Sequence, residues 1–171
     1  MPVELMKKFE STFDVRILEG YGLSETSPIA TFCHPQDKTP AGMVGKAIFG
    51  VEVRCVDDDD NEVPRGERGE VVMRGHNIMK GYYKRPEATA EAFKNGWFHS
   101  GDIGIMNEEG NLQIVDRKKD MILRGGYNVY PRELEEILMT HEAVSLVAVI
   151  GIPCDKMGEE VKAVIVKNKG F

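Results

Sequence analysis

Two carboxylates and the residues beside them carry the chemical signal of this chain. Asp102 ends the string Trp97-Phe98-His99-Ser100-Gly101-Asp102, with Arg117 downstream of it. Glu25 sits in Tyr21-Gly22-Leu23-Ser24-Glu25-Thr26-Ser27-Pro28. A carboxylate can accept hydrogen bonds from two neighbouring hydroxyls at once, and a guanidinium can add donors to the same group. A serine hydroxyl can bond a phosphate oxygen, and a glutamate gives the hard oxygen that magnesium takes. Tyr21 offers a flat ring to a planar base. Each position also has a plainer reading. Asp after Gly is common in turns. Ser-Glu is a frequent helix-start pair.

Short elements must position these groups. Residues 2–13 put Leu5, Met6, Phe9 and Phe13 on one helical face. Val15 to Leu18 reads as a strand running into the Gly-flanked Tyr21, the tail of a βα unit. From about residue 42 the texture becomes β. Val51, Val53 and Cys55 alternate with Glu52 and Arg54, Asp57 to Asn61 form a solvated acidic turn, and Glu70 to Met73 make the next strand. Pro86 to Phe93 suit a short helix with Pro in its first turn. Ile103 and Ile105 lead into the turn at Asn107 to Asn111, and Leu112 and Ile114 return as a hairpin. After Asp116 the pattern changes again. Met121 to Leu123 read as a strand broken by Gly125-Gly126, and Pro131 opens a helix with Leu134, Ile137 and Leu138 on its buried face. Leu146 to Ile150 and Val161 to Val166 are strand candidates. The expected architecture is α+β. The end of an α/β unit and a small β-barrel subdomain fill residues 1–116, and a truncated α+β C-terminal domain begins in 117–171.

Composition narrows the function classes. The 171 residues are 42% hydrophobic and 29% charged, which is ordinary globular composition. A net charge of -6 without a basic stripe argues against nucleic acid as a partner. Cys33, Cys55 and Cys154 lack metal spacing and read as free thiols in a reducing, cytoplasmic setting. No apolar run approaches a transmembrane span.

The strings WFHSGD and YGLSETSP combine with a third, DRKKDMILRGGYNVYP, from Asp116 to Pro131. In this order they resemble the adenylate-forming superfamily of acyl-CoA synthetases, luciferases and peptide-synthetase adenylation domains. GEVVMRGHNIMKGYYKRPEATAEAF, Gly69 to Phe93, is similar to the superfamily's barrel motif, and its Gly75, Gly81, Tyr82 and Pro86 read as structural. The resemblance implies that Asp102 and Arg117 hold the ribose of ATP or AMP, with Tyr21 and Gly22 against the adenine. It implies that Ser24 bonds an α-phosphate oxygen and that Glu25 binds Mg2+. It makes Lys119 a catalytic hinge between two poses of the C-terminal domain, and Gly125 and Gly126 the face that approaches the thiol of coenzyme A. Taken plainly, Lys118 and Lys119 are solvated charges and Gly125-Gly126 is a β-turn. The four histidines, His34, His76, His99 and His141, are read as non-catalytic.

The Gly126 to Pro131 run is more similar to acyl-CoA synthetases than to peptide-synthetase domains. The resemblance therefore implies a ligase that converts a small carboxylic acid, in first place a fatty acid, to acyl-AMP and then to acyl-CoA. An aryl-acid CoA ligase is the alternative. The superfamily's phosphate loop is expected before Tyr21 and its adenylating lysine after Phe171, so the chain reads as a fragment. By itself such a fragment is a non-catalytic nucleotide-binding or interaction module, inactive and self-associating.

Overall fold

The computed structural model describes residues 3–171, which form two compact units that divide between Ile114 and Val115. The first unit opens with helix α1, Val3–Phe13, and Pro2 of the expected helix lies outside the described residues. Met6 is buried, whereas Leu5, Phe9 and Phe13 are exposed. The expected apolar face is therefore only partly covered, and Phe9 and Phe13 rest on each other with ring centroids 4.6 Å apart.

The strand expected at Val15 to Leu18 does not form. Its backbone polar groups are taken locally. The Ile17 amide donates to Glu10 Oε1 at 2.8 Å, and the Val15 amide to Glu10 O at 3.3 Å. Arg16 fixes the segment from the side by donating to Pro35 O and Asp37 O at 2.6 and 2.5 Å. A strand needs a ladder as well as β-branched residues, and a side-chain carboxylate occupies the ladder's place here.

Strands β1 (Gly20–Tyr21), β2 (Thr31–Phe32) and β3 (Lys46–Ala47) make a small antiparallel sheet in that order. Then come β4 (Val51–Val56), β5 (Arg68–Gly75), helix α2 (Pro86–Ala92), β6 (Phe93–Lys94), β7 (Trp97–Met106) and β8 (Leu112–Arg117). These strands order as β4-β5-β7-β6, with β8 also on β7. The Val44 amide donates to Leu112 O at 2.7 Å and the Leu112 amide to Gly45 O at 2.9 Å, which ties β8 to the chain before β3. Among the described residues the ladder order itself is open, and a closed barrel is not seen. β4 alternates buried Val51, Val53 and Cys55 with outward Glu52 and Arg54. The consecutive Val71, Val72 and Met73 of β5 are all buried, as in a strand covered on both faces. With Phe98, Met106 and Leu112, Val71 and Met73 belong to the core that holds β7 in place. The acidic turn after β4 is closed by Asp57, whose carboxylate accepts from the Asp59 and Asn61 amides at 2.9 Å.

The second unit holds β9 (Ile122–Arg124), β10 (Tyr127–Val129), helix α3 (Pro131–Leu138), β11 (Val144–Cys154) and β12 (Gly158–Lys167). The sheet order is β10-β9-β12-β11, and the long β11–β12 hairpin dominates it. β9 starts one residue later than Met121. Leu134 and Leu138 are half-buried, but Ile137 is exposed. The helix is short, and its buried stripe is narrower than the apolar spacing implies. Gly125 and Gly126 form the two-residue turn of the β9–β10 hairpin, with φ of 58° and 85°. Positive φ at both positions is the requirement of a type I′ turn, which glycine meets without strain. No helix among the described residues is long and apolar enough to cross a membrane.

Burial raises the Cys55 thiol from 9.0 to about 11, against a smaller lowering by Arg65. The thiolate is the nucleophile, so iodoacetamide near neutral pH is expected to modify half-buried Cys154 long before Cys55 in the native protein. The unfolded chain ionises first as pH rises. The stabilising contribution of the neutral thiol is therefore complete below about pH 9 and declines toward pH 11. Mass spectrometry of the labelled peptides checks this, and rapid native labelling of Cys55 would show that the site is open.

Candidate functional site

Strand β1 ends at Tyr21, and the chain turns at once through Gly22. The Tyr21 carbonyl accepts from the Ala30 amide at 2.8 Å, which closes the loop between them. A side chain at Gly22 would place Cβ 1.9 Å from the Pro28 carbonyl oxygen, so only glycine lets the two arms pass. Within the loop, Ser24–Thr26 is a single 3-10 turn. Buried Thr26 fixes its start, accepting from the Leu23 amide at 2.8 Å and donating to the Leu23 carbonyl at 2.9 Å. Asn77 ties the loop from outside by donating to Thr26 O at 2.9 Å and Ile29 O at 2.6 Å. The Met79 amide adds a bond to Glu25 O at 2.8 Å.

This scaffold leaves Ser24 exposed and Glu25 half-buried. The Tyr82 hydroxyl donates to Glu25 Oε1 at 2.8 Å. Burial, and then the adjacent carboxylate, hold the Tyr82 phenol above its ordinary value, so it remains a donor. The Tyr21 hydroxyl donates to Asp102 Oδ2 at 2.6 Å, joining positions 81 residues apart. Asp102 is half-buried on β7. Three residues earlier on β7, the His99 side chain is only 7% exposed, with Nδ1 3.4 Å from Glu70 Oε2 and Nε2 3.6 Å from Asp60 Oδ1.

The remaining candidates belong to the second unit. Arg117 ends β8 and is exposed. The Asp116 carboxylate accepts from the Arg117 amide at 2.8 Å and the Arg132 amide at 3.0 Å, binding the strand's end to the start of α3. Lys119 is exposed in the 3-10 turn Lys118–Asp120. The Gly125-Gly126 turn is held by the head of β12. The Gly125 amide donates to Met157 O at 2.8 Å, and Arg124 forks onto Glu160 at 2.5 and 3.0 Å. That pairing raises the Arg124 guanidinium and lowers the Glu160 carboxyl from their ordinary values. The structure thus brings Tyr21 to Asp102 and Glu25 to Tyr82.

Two half-buried carboxylates, an exposed hydroxyl and an aromatic ring anchored by its own hydroxyl suit a sugar, a phosphate and a hard cation. Residues 1–83 match the family of AMP-binding enzymes, and residues 133–171 match the AMP-binding enzyme C-terminal domain. The chain belongs to the AMP-binding enzymes. It is 51% identical over 153 residues to a long-chain-fatty-acid–CoA ligase of Escherichia coli O6:H1, covering 89% of this chain and 27% of that protein. It is 40% identical over 173 residues to a feruloyl-CoA synthase of an Amycolatopsis species, covering 99% of this chain and 35% of the synthase. The crystal structure of ATP-bound MatB from Rhodopseudomonas palustris superimposes with a TM-score of 0.93 at 36% identity, covering 99% of this chain and 34% of MatB. The chain therefore spans between 27% and 35% of the length of these proteins.

Tyr21, Gly22, Ser24 and Glu25 fall inside the first matched segment. Asp102, Arg117, Lys119, Gly125 and Gly126 fall between the two. Sequence reasoning gave Tyr82 no chemistry, yet its hydroxyl sits on Glu25. Asn77, Glu70 and Ser100 were not singled out either. Apart from the Asp102 amide on Ser100, the partners that tie them in lie 29 to 51 residues away, beyond the reach of any local pattern.

Proposed function

We propose that the protein carrying this chain joins a carboxylic acid to AMP and then transfers the acyl group to coenzyme A. A fatty acid is the favoured substrate. The carrying observation is the Tyr21–Asp102 contact at 2.6 Å, next to a loop presenting Ser24 and Glu25. The relatives' names support the same reaction class. A carboxylate oxygen would attack the α-phosphorus of ATP, and pyrophosphate would leave. The thiolate of coenzyme A would then attack the acyl carbon, and AMP would leave.

In this reading Asp102 accepts both ribose hydroxyls, Arg117 adds donors, and Tyr21 lies against the adenine with Gly22 beside it. Ser24 donates to an α-phosphate oxygen. Glu25 would hold a magnesium ion, which neutralises phosphate charge when bound. Tyr82 steadies that carboxylate. Residues 1–116 would be the end of the large adenylation domain, and 117–171 the start of the small mobile one. Lys119 would be the pivot, and Gly125 and Gly126 would let the backbone approach the thiol. An aryl acid is the second reading, favoured by the 40% identity to a feruloyl-CoA synthase. A cytoplasmic setting suits the three free thiols.

Fatty-acid-dependent pyrophosphate release by the full-length protein is expected, and release with aryl acids alone would move the reading to the second class. Asp102→Ala is expected to raise the KM for ATP and spare that for the acid, since each lost hydrogen bond to a charged group costs about 1.5–3 kcal/mol. A change confined to the acid would refute the ribose role. Lys119→Pro fixes φ at the pivot, so adenylation should persist while thioester formation falls. An equal loss of both would remove the pivot assignment. The isolated 171-residue chain should be inactive and self-associate through exposed Leu5, Phe9 and Phe13. A monomer mass by light scattering at micromolar concentration would contradict this.

A further inference from the structure

The segment that presents Asp102 is a β-bulge. The β5–β7 ladder pairs Val72 with His99 and then Glu70 with Ile103. Ser100, Gly101 and Asp102 therefore face Val71 alone. Bulges of this kind re-aim a side chain and leave backbone groups unpaired. Gly101 takes up the distortion with a φ of 73°.

Each surplus residue is held by a side chain. The Ser100 hydroxyl donates to Val71 O at 2.7 Å and accepts from the Asp102 amide at 3.0 Å. The Gly101 amide donates to Glu70 Oε1 at 3.2 Å. The other Glu70 oxygen lies 3.4 Å from Nδ1 of His99, whose side chain is 7% exposed, without a hydrogen bond between them. The bulge ends where the Asp102 carboxylate meets Tyr21. A carboxylate that must meet two hydroxyls at fixed spacing gains little if its backbone wanders, because misplacement by about 1 Å is enough to lose the gain.

We infer that Ser100 and Glu70 are positioning residues for nucleotide binding, acting through Asp102 by clamping the bulge against β5. This rests on the reading of Asp102 as the ribose ligand. Ser100 replaces the ladder bonds that the bulge forfeits. Glu70 caps the amide that the positive φ turns out of the ladder.

The test is AMP affinity by titration calorimetry on the full-length protein. Ser100→Ala and Glu70→Met are each expected to weaken AMP roughly tenfold, the scale of one lost hydrogen bond. Ser100→Thr keeps the hydroxyl and should restore affinity. In an Asp102→Ala background, Ser100→Ala and Glu70→Met should change affinity less than about twofold, since coupled residues are not additive. Loss of the same size in both backgrounds would show an effect that bypasses Asp102 and overturn the clamp. So would wild-type affinity in Ser100→Ala and Glu70→Met while Asp102→Ala binds weakly, or a Ser100→Thr protein as weak as Ser100→Ala. If Ser100→Ala does not fold, Glu70→Met carries the comparison. Wild-type affinity in Asp102→Ala itself would remove the ribose reading, and the clamp with it.

Discussion

The hydrogen bond from Tyr21 to Asp102 is the contact on which the site depends. A phenol donating to a carboxylate is charge-assisted, and its 2.6 Å length suits that class. It is specific only if both backbones are fixed. The Tyr21 end is fixed by pairing with Thr31 and by the Ala30 amide, and the Gly22 passage lets the loop fold back. The Asp102 end is fixed by the core beneath β7, where Phe98, Ile103 and Met106 are buried. The sheet does not have to close for this to work. It has to bury Val71 and Met73 so that β5, paired between β4 and β7, is a rigid support for the bulge.

Glu25 follows the same logic with weaker means. Its loop is a single 3-10 turn, too short to hold itself, so Asn77 and the Met79 amide brace it from outside. Tyr82 then sets the direction of the carboxylate. In the second unit the Gly125-Gly126 turn is braced by the Arg124–Glu160 fork and by the Met157 carbonyl. In each place a short irregular segment presents the candidate residues, and groups from a neighbouring strand or loop stand in for the missing backbone ladder.

Much of the fold was legible because it rests on local pattern. The period-2 alternation of β4, the proline starts of α2 and α3, and the double-glycine turn all follow from residue type and spacing. The failures share a physical cause. Val15 to Leu18 has strand-like residues, but Glu10 captures the Ile17 amide. Ile137 has the right helical spacing, but α3 is too short for its stripe to be covered. Which strands meet, and so how the sheets curl together, is not encoded by the alternation of any one strand. At the site, Tyr21, Ser24, Glu25 and Asp102 stood out by type and neighbours. Tyr82, Glu70, Ser100 and Asn77 act across tens of residues, and only the fold brings them to their partners.

The most direct test of the Tyr21–Asp102 account is the affinity of the full-length protein for ATP against 2′,3′-dideoxy-ATP. If Asp102 accepts both ribose hydroxyls, removing them should weaken binding by about a hundredfold or more, from two bonds of about 1.5–3 kcal/mol each. In the Asp102→Ala protein most of that difference should vanish, leaving only the share that Arg117 contributes. Equal affinity of the unaltered protein for both would contradict the account.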